Sequence, residues 1–199
     1  LPNCGNMGLP ICLFAYGKLG MGIASAISAV IIISHFTFGI FLASKKISFK
    51  VLLESTPVYA VIISVCLLYY EIEAPVFIEN TAFLLAYSTI AMILMSLGIA
   101  LTKLRVFAFK DAVISTFARL ILGPLVGLSI IYLFDLKGFA AGVLFIQTSM
   151  PSAILTYLVG SMYSSKKVVN GIASTIVVST IASFLTIPII VFIALKYFI

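Results

Sequence analysis

Residues 22–43 read GIASAISAVIIISHFTFGIFLA, and residues 171–192 read GIASTIVVSTIASFLTIPIIVF. Aligned without gaps they are identical at nine positions: Gly22/Gly171, Ile23/Ile172, Ala24/Ala173, Ser25/Ser174, Ile27/Ile176, Ile32/Ile181, Ser34/Ser183, Thr37/Thr186 and Ile40/Ile189. Shared Ile, Ala and Ser bias accounts for about two or three such matches, so the pair is a candidate internal repeat. Both stretches are free of Asp, Glu, Lys and Arg and long enough to cross a bilayer as a helix.

The flanks agree. The first copy follows Asn3-Cys4-Gly5-Asn6-Met7-Gly8-Leu9-Pro10, and the second follows Gln147-Thr148-Ser149-Met150-Pro151-Ser152. Each flank sets a proline among small polar residues inside an otherwise apolar run. A span needs about 20 predominantly apolar residues. Such runs cover 19–43, 51–70, 80–102, 108–134, 138–163 and 168–195, with a partial one at 1–17. All are read as helices, because an open sheet cannot satisfy its backbone in lipid. The alternating pattern of a membrane barrel is absent. The fold class is therefore all-α transmembrane, a multi-span helical bundle.

Composition demands the same. Of the 199 residues, 63% are hydrophobic and 9% charged, and mean hydropathy is +1.28. A water-facing domain carries about 25% charged residues. Trp is absent, but 9 Tyr and 16 Phe supply interfacial aromatics. The net charge of +6 sits in short runs between apolar segments, with no basic patch interleaved with aromatics, which excludes a nucleic-acid partner. Cys4, Cys12 and Cys66 form no C-x-x-C pair and read as small buried hydrophobes. There is no H-E-x-x-H, no metal-ligand cluster and no phosphate-binding glycine loop, so no enzyme, metal or cofactor is read from the chain.

The loop charges give an orientation. Lys45, Lys46 and Lys50 follow one span, Lys103, Arg105 and Lys110 another, and Lys166 and Lys167 a third. The loops between these carry Glu71, Glu73 and Glu79, or Asp135 with Lys137. The positive-inside rule puts the loops at 45–50, 103–110 and 164–167 in the cytoplasm of a cell-membrane protein, with the C-terminus outside. The two copies then run in opposite directions, five spans apart, as in inverted-repeat secondary transporters. On that reading 1–43 closes a first repeat, with the second half of helix 4 and helix 5. Residues 44–50 are a loop, and 51–199 is a complete five-helix repeat, helices 6–10 of a ten-helix (5+5) protein. The chain opens without Met inside a membrane-like segment, so on the order of 100 residues are expected ahead of it.

Proline removes a backbone N–H and clashes with the preceding turn. In lipid the freed carbonyls must face protein, water or a ligand. Two breaks at equivalent places can cross, presenting half-helix N-termini to an anion or unwound carbonyls to a cation. Asn3, Asn6, Gln147, Ser149 and Ser152 are the candidate hydrogen-bonding residues, and Pro10 and Pro151 would hold the breaks open.

These segments resemble a known family. N-x-G-N-x-G-L-P from Asn3 to Pro10, then Phe14-Ala15-Tyr16-Gly17, resembles the fourth-helix crossover of the auxin efflux carriers. Met150-Pro151-Ser152-Ala153 with Tyr157, Leu158 and Tyr163 resembles their ninth helix, and Ser179-Thr180 through Ser183-Phe184-Leu185-Thr186-Ile187-Pro188 their tenth. The resemblance implies a ten-helix transporter of the bile-acid-symporter-like fold. Two broken helices would cross at the substrate site, and helices 3–5 and 8–10 would form the crossover bundle. It implies small organic anions as substrates, such as malate, malonate or auxin-like acids. The loop at Lys45 to Lys50 is short, as in prokaryotic-type members. Where the family motif often has Asn five residues after the proline, this chain has Thr156, a further candidate contact. The alternatives are a sodium-coupled symporter of the bile-acid type, and a membrane-embedded enzyme or non-transporting subunit. The lipid bilayer and a second copy of the chain are the other candidate partners.

Four further features remain, the first two with two readings each. Arg119 would attract a carboxylate or snorkel to the cytoplasmic face. His35 would relay protons or sit hydrogen-bonded in the core. Glu54 suits a helix start. Gly171, Thr175, Ser179 and Ser183 form a small-residue stripe for close helix packing.

Overall fold

A computed structural model describes residues 1–44, 56–72 and 74–198. The Lys45–Lys50 loop, Glu54 and Glu73 lie outside the described residues. The elements are helices: α1 (Cys4–Ser44), α2 (Thr56–Tyr69), α3 (Val76–Lys103), α4 (Phe109–Leu133), α5 (Gly138–Thr148), α6 (Ile154–Tyr163) and α7 (Lys166–Tyr197). Among the described residues, α1, α3, α4 and α7 are long and apolar enough to cross a membrane. α3, α4 and α7 have 28, 25 and 32 residues. At 1.5 Å per residue they exceed the roughly 30 Å of a hydrocarbon core.

α1 is a hairpin. Gly17 has φ 64° and ψ −153°, a left-handed-side conformation that glycine adopts without a Cβ penalty. The backbone reverses there, so the second arm (18–44) returns along the first (4–16). A methyl at Gly20 would overlap Tyr16 and the Cys12 carbonyl. The turn falls at the boundary between the apolar runs 1–17 and 19–43, and Lys18 next to it lies over the Phe83 ring of α3, 4.4 Å from its centroid.

α5 and α6, of 11 and 10 residues, are half-spans of about 15 Å each. The run 138–163 is thus broken at 149–153, around Pro151. A half-helix inside a membrane protein has free backbone ends and must be enclosed. α5 is enclosed: Ala141, Gly142, Val143, Phe145, Ile146 and Gln147 are buried. It packs between α1, α4 and α7, and with Met7, Cys12, Ala24, Ile131, Met150, Ile190 and Ala194 it forms the core. α4 and α7 make the most extensive helix pair. α3 buries only Leu97 and turns large apolar side chains outward, among them Phe77, Leu84, Leu85, Met92 and Met95.

Pro10 does not open a break. It is a buried residue in the first regular α turn of α1, from Leu9, preceded by a π-helical turn at Cys4–Gly8. The wider π turn accommodates a carbonyl that has lost its N–H partner, so the helix continues through the proline. The non-helical residues ahead of α1 are 1–3, around Pro2.

Candidate functional site

The two interrupted segments cross. Asn3 N–H donates to the Pro151 carbonyl at 2.8 Å, and Ala153 N–H donates to the Leu1 carbonyl at 3.1 Å. Pro2 and Ser152 sit opposite each other as an antiparallel bridge. This two-residue ladder satisfies groups that the prolines remove from helical pairing. A helix leaves each side of it: the first arm of α1, capped at Asn3, and α6, capped at Ala153.

Both helix starts line one cavity of about 390 Å³, bordered by Asn3, Cys4, Gly5, Asn6, Ser28, His35, Ala153, Ile154, Leu155 and Tyr157 among others. First-turn N–H groups have no partner inside their own helix, and two positive dipole ends converge here. Asn3 is 3% exposed, and its Nδ2 has no partner among the described residues. Ser28 Oγ is likewise buried and unpartnered. Among the described residues, no Asp or Glu lines this cavity. On the other side of the crossing, Ser152 and Thr156 line a cavity of about 290 Å³ with Asp111, Ser115 and Thr175.

Carbonyls on both sides of the crossing have partners. Asn3 O accepts from Met7 N–H and Gly8 N–H, and Gln147 O accepts from Met150 N–H at 3.4 Å and the Cys4 thiol at 3.6 Å. Arg119 of α4 donates from Nε to Met150 O at 3.1 Å and from Nη2 to Thr148 O at 2.7 Å. Arg119 therefore does not snorkel: the carbonyls at the end of α5 hold its guanidinium inward. Gly123 and Gly127, one and two turns further on, admit Thr148, and a methyl at either would overlap it.

The predicted residues divide. Asn3 and Asn6 share the larger cavity, and Ser152 and Thr156 the smaller. Pro151 belongs to the ladder. Gln147 is fully buried and faces α1: its Nε2 donates to Ala24 O at 3.3 Å, and its Oε1 meets Gly8. Ser149 turns back on its own helix, donating to Phe145 O at 2.6 Å. Ser149 is thus a helix terminus, because a serine at a C-cap has a carbonyl one turn back within reach.

Other side chains join them. Ser179 Oγ, from the α7 stripe, accepts from Ser152 N–H at 3.2 Å. Ser174 accepts from Phe107 N–H and Ala108 N–H ahead of α4. His35 is 3% exposed. Its Nδ1 donates to Ile31 O at 2.9 Å, so the neutral ring accepts at Nε2 from Thr156 Oγ, 3.3 Å away. The histidine is hydrogen-bonded and buried. Its partner, 121 residues along the chain, carries no spacing signal.

Comparison with known proteins gives a consistent answer. The profile of a family described as membrane transport protein matches residues 40–191, well over half of the chain. An uncharacterized transporter of Methanocaldococcus jannaschii is similar, 27% identical over 197 residues that cover 94% of this chain. The chain spans 63% of that relative's length. No solved structure matches. The chain belongs to the membrane transport protein family, that of the auxin efflux carriers.

Proposed function

We propose that this chain carries the crossover of a secondary transporter for small organic anions, carboxylates such as malate or malonate or auxin-like acids. The observation that carries the reading is the meeting of two helix N-termini at one cavity of about 390 Å³ that, among the described residues, no carboxylate lines. First-turn N–H groups, positive dipole ends and the Asn3 Nδ2, which has no partner among the described residues, suit a carboxylate. The sodium-symporter alternative needs carbonyl oxygens for the cation. Here the backbone ladder and Arg119 occupy Leu1 O, Thr148 O, Met150 O and Pro151 O. Family membership favours transport over a membrane-embedded enzyme.

The unit 51–199 is proposed as one five-helix repeat and 1–43 as the close of an inverted one. The gapless offset of the two copies also pairs Pro2 with Pro151, not Pro10 with Pro151, and Lys18 with Lys167. Each copy has the same local order: an extended crossing, a half-helix, a tight turn and a long helix. The loops at 45–50, 103–110 and 164–167 are proposed as cytoplasmic. Alternating access would then move one bundle against the other around the crossing.

The test is uptake by the full-length protein in proteoliposomes, screening labelled malate, malonate and an auxin-like acid. Asn6→Ala and Ser152→Ala, on opposite sides of the crossing, should each weaken uptake of the accepted anion. Unchanged uptake in both would place the substrate elsewhere.

A further inference from the structure

Arg119 is a half-buried charge in a membrane helix, and such a charge is costly unless something fixed engages it. What engages it is the C-terminal end of α5. Its Nε and Nη2 both donate to main-chain carbonyls, Met150 O and Thr148 O, which flank the start of the break. Among the described residues the ion pair is Lys137–Asp135, on the surface, so no carboxylate balances the guanidinium. The helix face beside it is cleared for the purpose. Gly123 and Gly127 let the end of α5 approach until a methyl would strike Thr148.

A helix C-terminus carries a partial negative charge on unpaired carbonyls. Two such carbonyls converging in a membrane interior are a cation site of the kind an unwound transporter helix gives to sodium. Here the planar, permanently charged guanidinium fork occupies that position. We propose that Arg119 is a tethered cation. It fills the carbonyl cluster at the break, holds α5 in register with the crossing, and makes the arrangement independent of any dissolved cation. Arg119 is a positioning residue: it acts through Met150 and Thr148, and none of its contacts lies in the cavity of Asn3 and Asn6. The consequence for uptake rests on the transport reading above, but the consequence for cation binding does not.

The experiment uses the purified full-length protein, as wild type, Arg119→Gln and Arg119→Lys, with two readouts. The first is the melting temperature in detergent during titration with sodium chloride, guanidinium chloride below denaturing concentration, or choline chloride. Arg119→Gln should melt below the wild type and recover with sodium or guanidinium but not choline, while the wild type responds to none of them. The second is anion uptake in proteoliposomes. In choline medium Arg119→Gln should lose about tenfold or more, the equivalent of one charged hydrogen bond, and guanidinium should restore part of it. Arg119→Lys, a point charge without the fork, should fall between the two. If Arg119→Gln does not fold, Arg119→Lys alone carries the melting test, and no recovery with guanidinium overturns the proposal. A Gln variant that melts and transports like the wild type in choline also overturns it. So does a wild type stabilised by sodium as strongly as the variant. If the wild type takes up none of the anions, the transport reading fails, and the melting comparison still decides the role of Arg119.

Discussion

Gly8 lies directly against the carboxamide of Gln147, so close that a methyl on Gly8 would overlap Oε1 and Cδ. This contact joins the first arm of α1 to the buried half-helix α5. Gln147 cannot simply swing aside, because it is fully buried and its Nε2 is bonded to Ala24 O on the second arm. One side chain thereby links both arms of the hairpin to α5. Gly8→Ala should cost about 1–3 kcal/mol through overpacking. Gly8→Ala with Gln147→Ala should lose less than the two single losses combined, since the smaller partner removes the overlap. Melting temperatures of the four proteins in detergent measure this, and simple additivity would refute the contact.

Gly123 and Gly127 make a second such claim on α4. Alanine at Gly127 meets the Thr148 side chain, and at Gly123 it meets the Thr148 carbonyl. Gly98, on α3, has nothing within 4 Å of an added methyl. Gly98→Ala should therefore be neutral or stabilising by up to about 1 kcal/mol, from helix propensity alone. Gly123→Ala should be the most damaging of the three, because backbone cannot move away as a side chain can. Melting temperatures test the order, and a Gly98→Ala loss equal to that of Gly123→Ala would contradict it.

Much of this architecture is legible in the chain itself. The apolar runs locate α3, α4 and α7 to within a few residues, because lipid demands long uninterrupted helices. Gly17 and Lys18 announce the hairpin as an interruption of two apolar runs. Pro151 marks its break because the small polar residues beside it can turn back on the backbone. Pro10 misleads for the same reason in reverse. A proline with polar neighbours looks like a break, but the π turn at Cys4–Gly8 absorbs the missing N–H, and the crossing falls at Pro2. Ser149 and Ser152 look alike in sequence, and only the packing shows that one closes its own helix while the other lines a cavity. The role of Arg119 is illegible because its partners are carbonyls 29 and 31 residues away, and carbonyls leave no mark in a sequence.

Asn3 offers a direct test of the sign of the ligand. Its Nδ2 is a buried donor without a partner among the described residues, at the wall of the larger cavity. Leaving a donor unmade there costs about 1–3 kcal/mol, which a bound acceptor recovers. Asn3→Asp replaces that donor with a carboxylate and should raise the apparent KM for an anionic substrate about tenfold or more, the equivalent of one charged hydrogen bond. Asn3→Ala should raise it less, with little change in the maximal rate. Uptake kinetics in proteoliposomes separate the two constants. An Asp variant with wild-type KM would mean that Asn3 does not face the anion.

The last relation to test is the one between His35 and Thr156, which ties the second arm of α1 to the half-helix α6. Ile31 O holds Nδ1 as the donor, so Nε2 accepts, and Thr156 supplies the proton. Thr156→Val keeps the side-chain shape but leaves a buried ring nitrogen without a partner, at a cost of about 1–3 kcal/mol. Thr156→Ser keeps the hydroxyl and should lose far less. The loss should be local as well as global. α6 is only 10 residues long, begins at the crossing and packs along His35–Ser44 of the arm, so the loss of the His35 bond falls first on it. Amide exchange over Ile154–Tyr163 should therefore accelerate more in the Val variant than exchange over α4. Equal acceleration in both helices would show that the hydroxyl stabilises the bundle generally and does not pin α6 to His35.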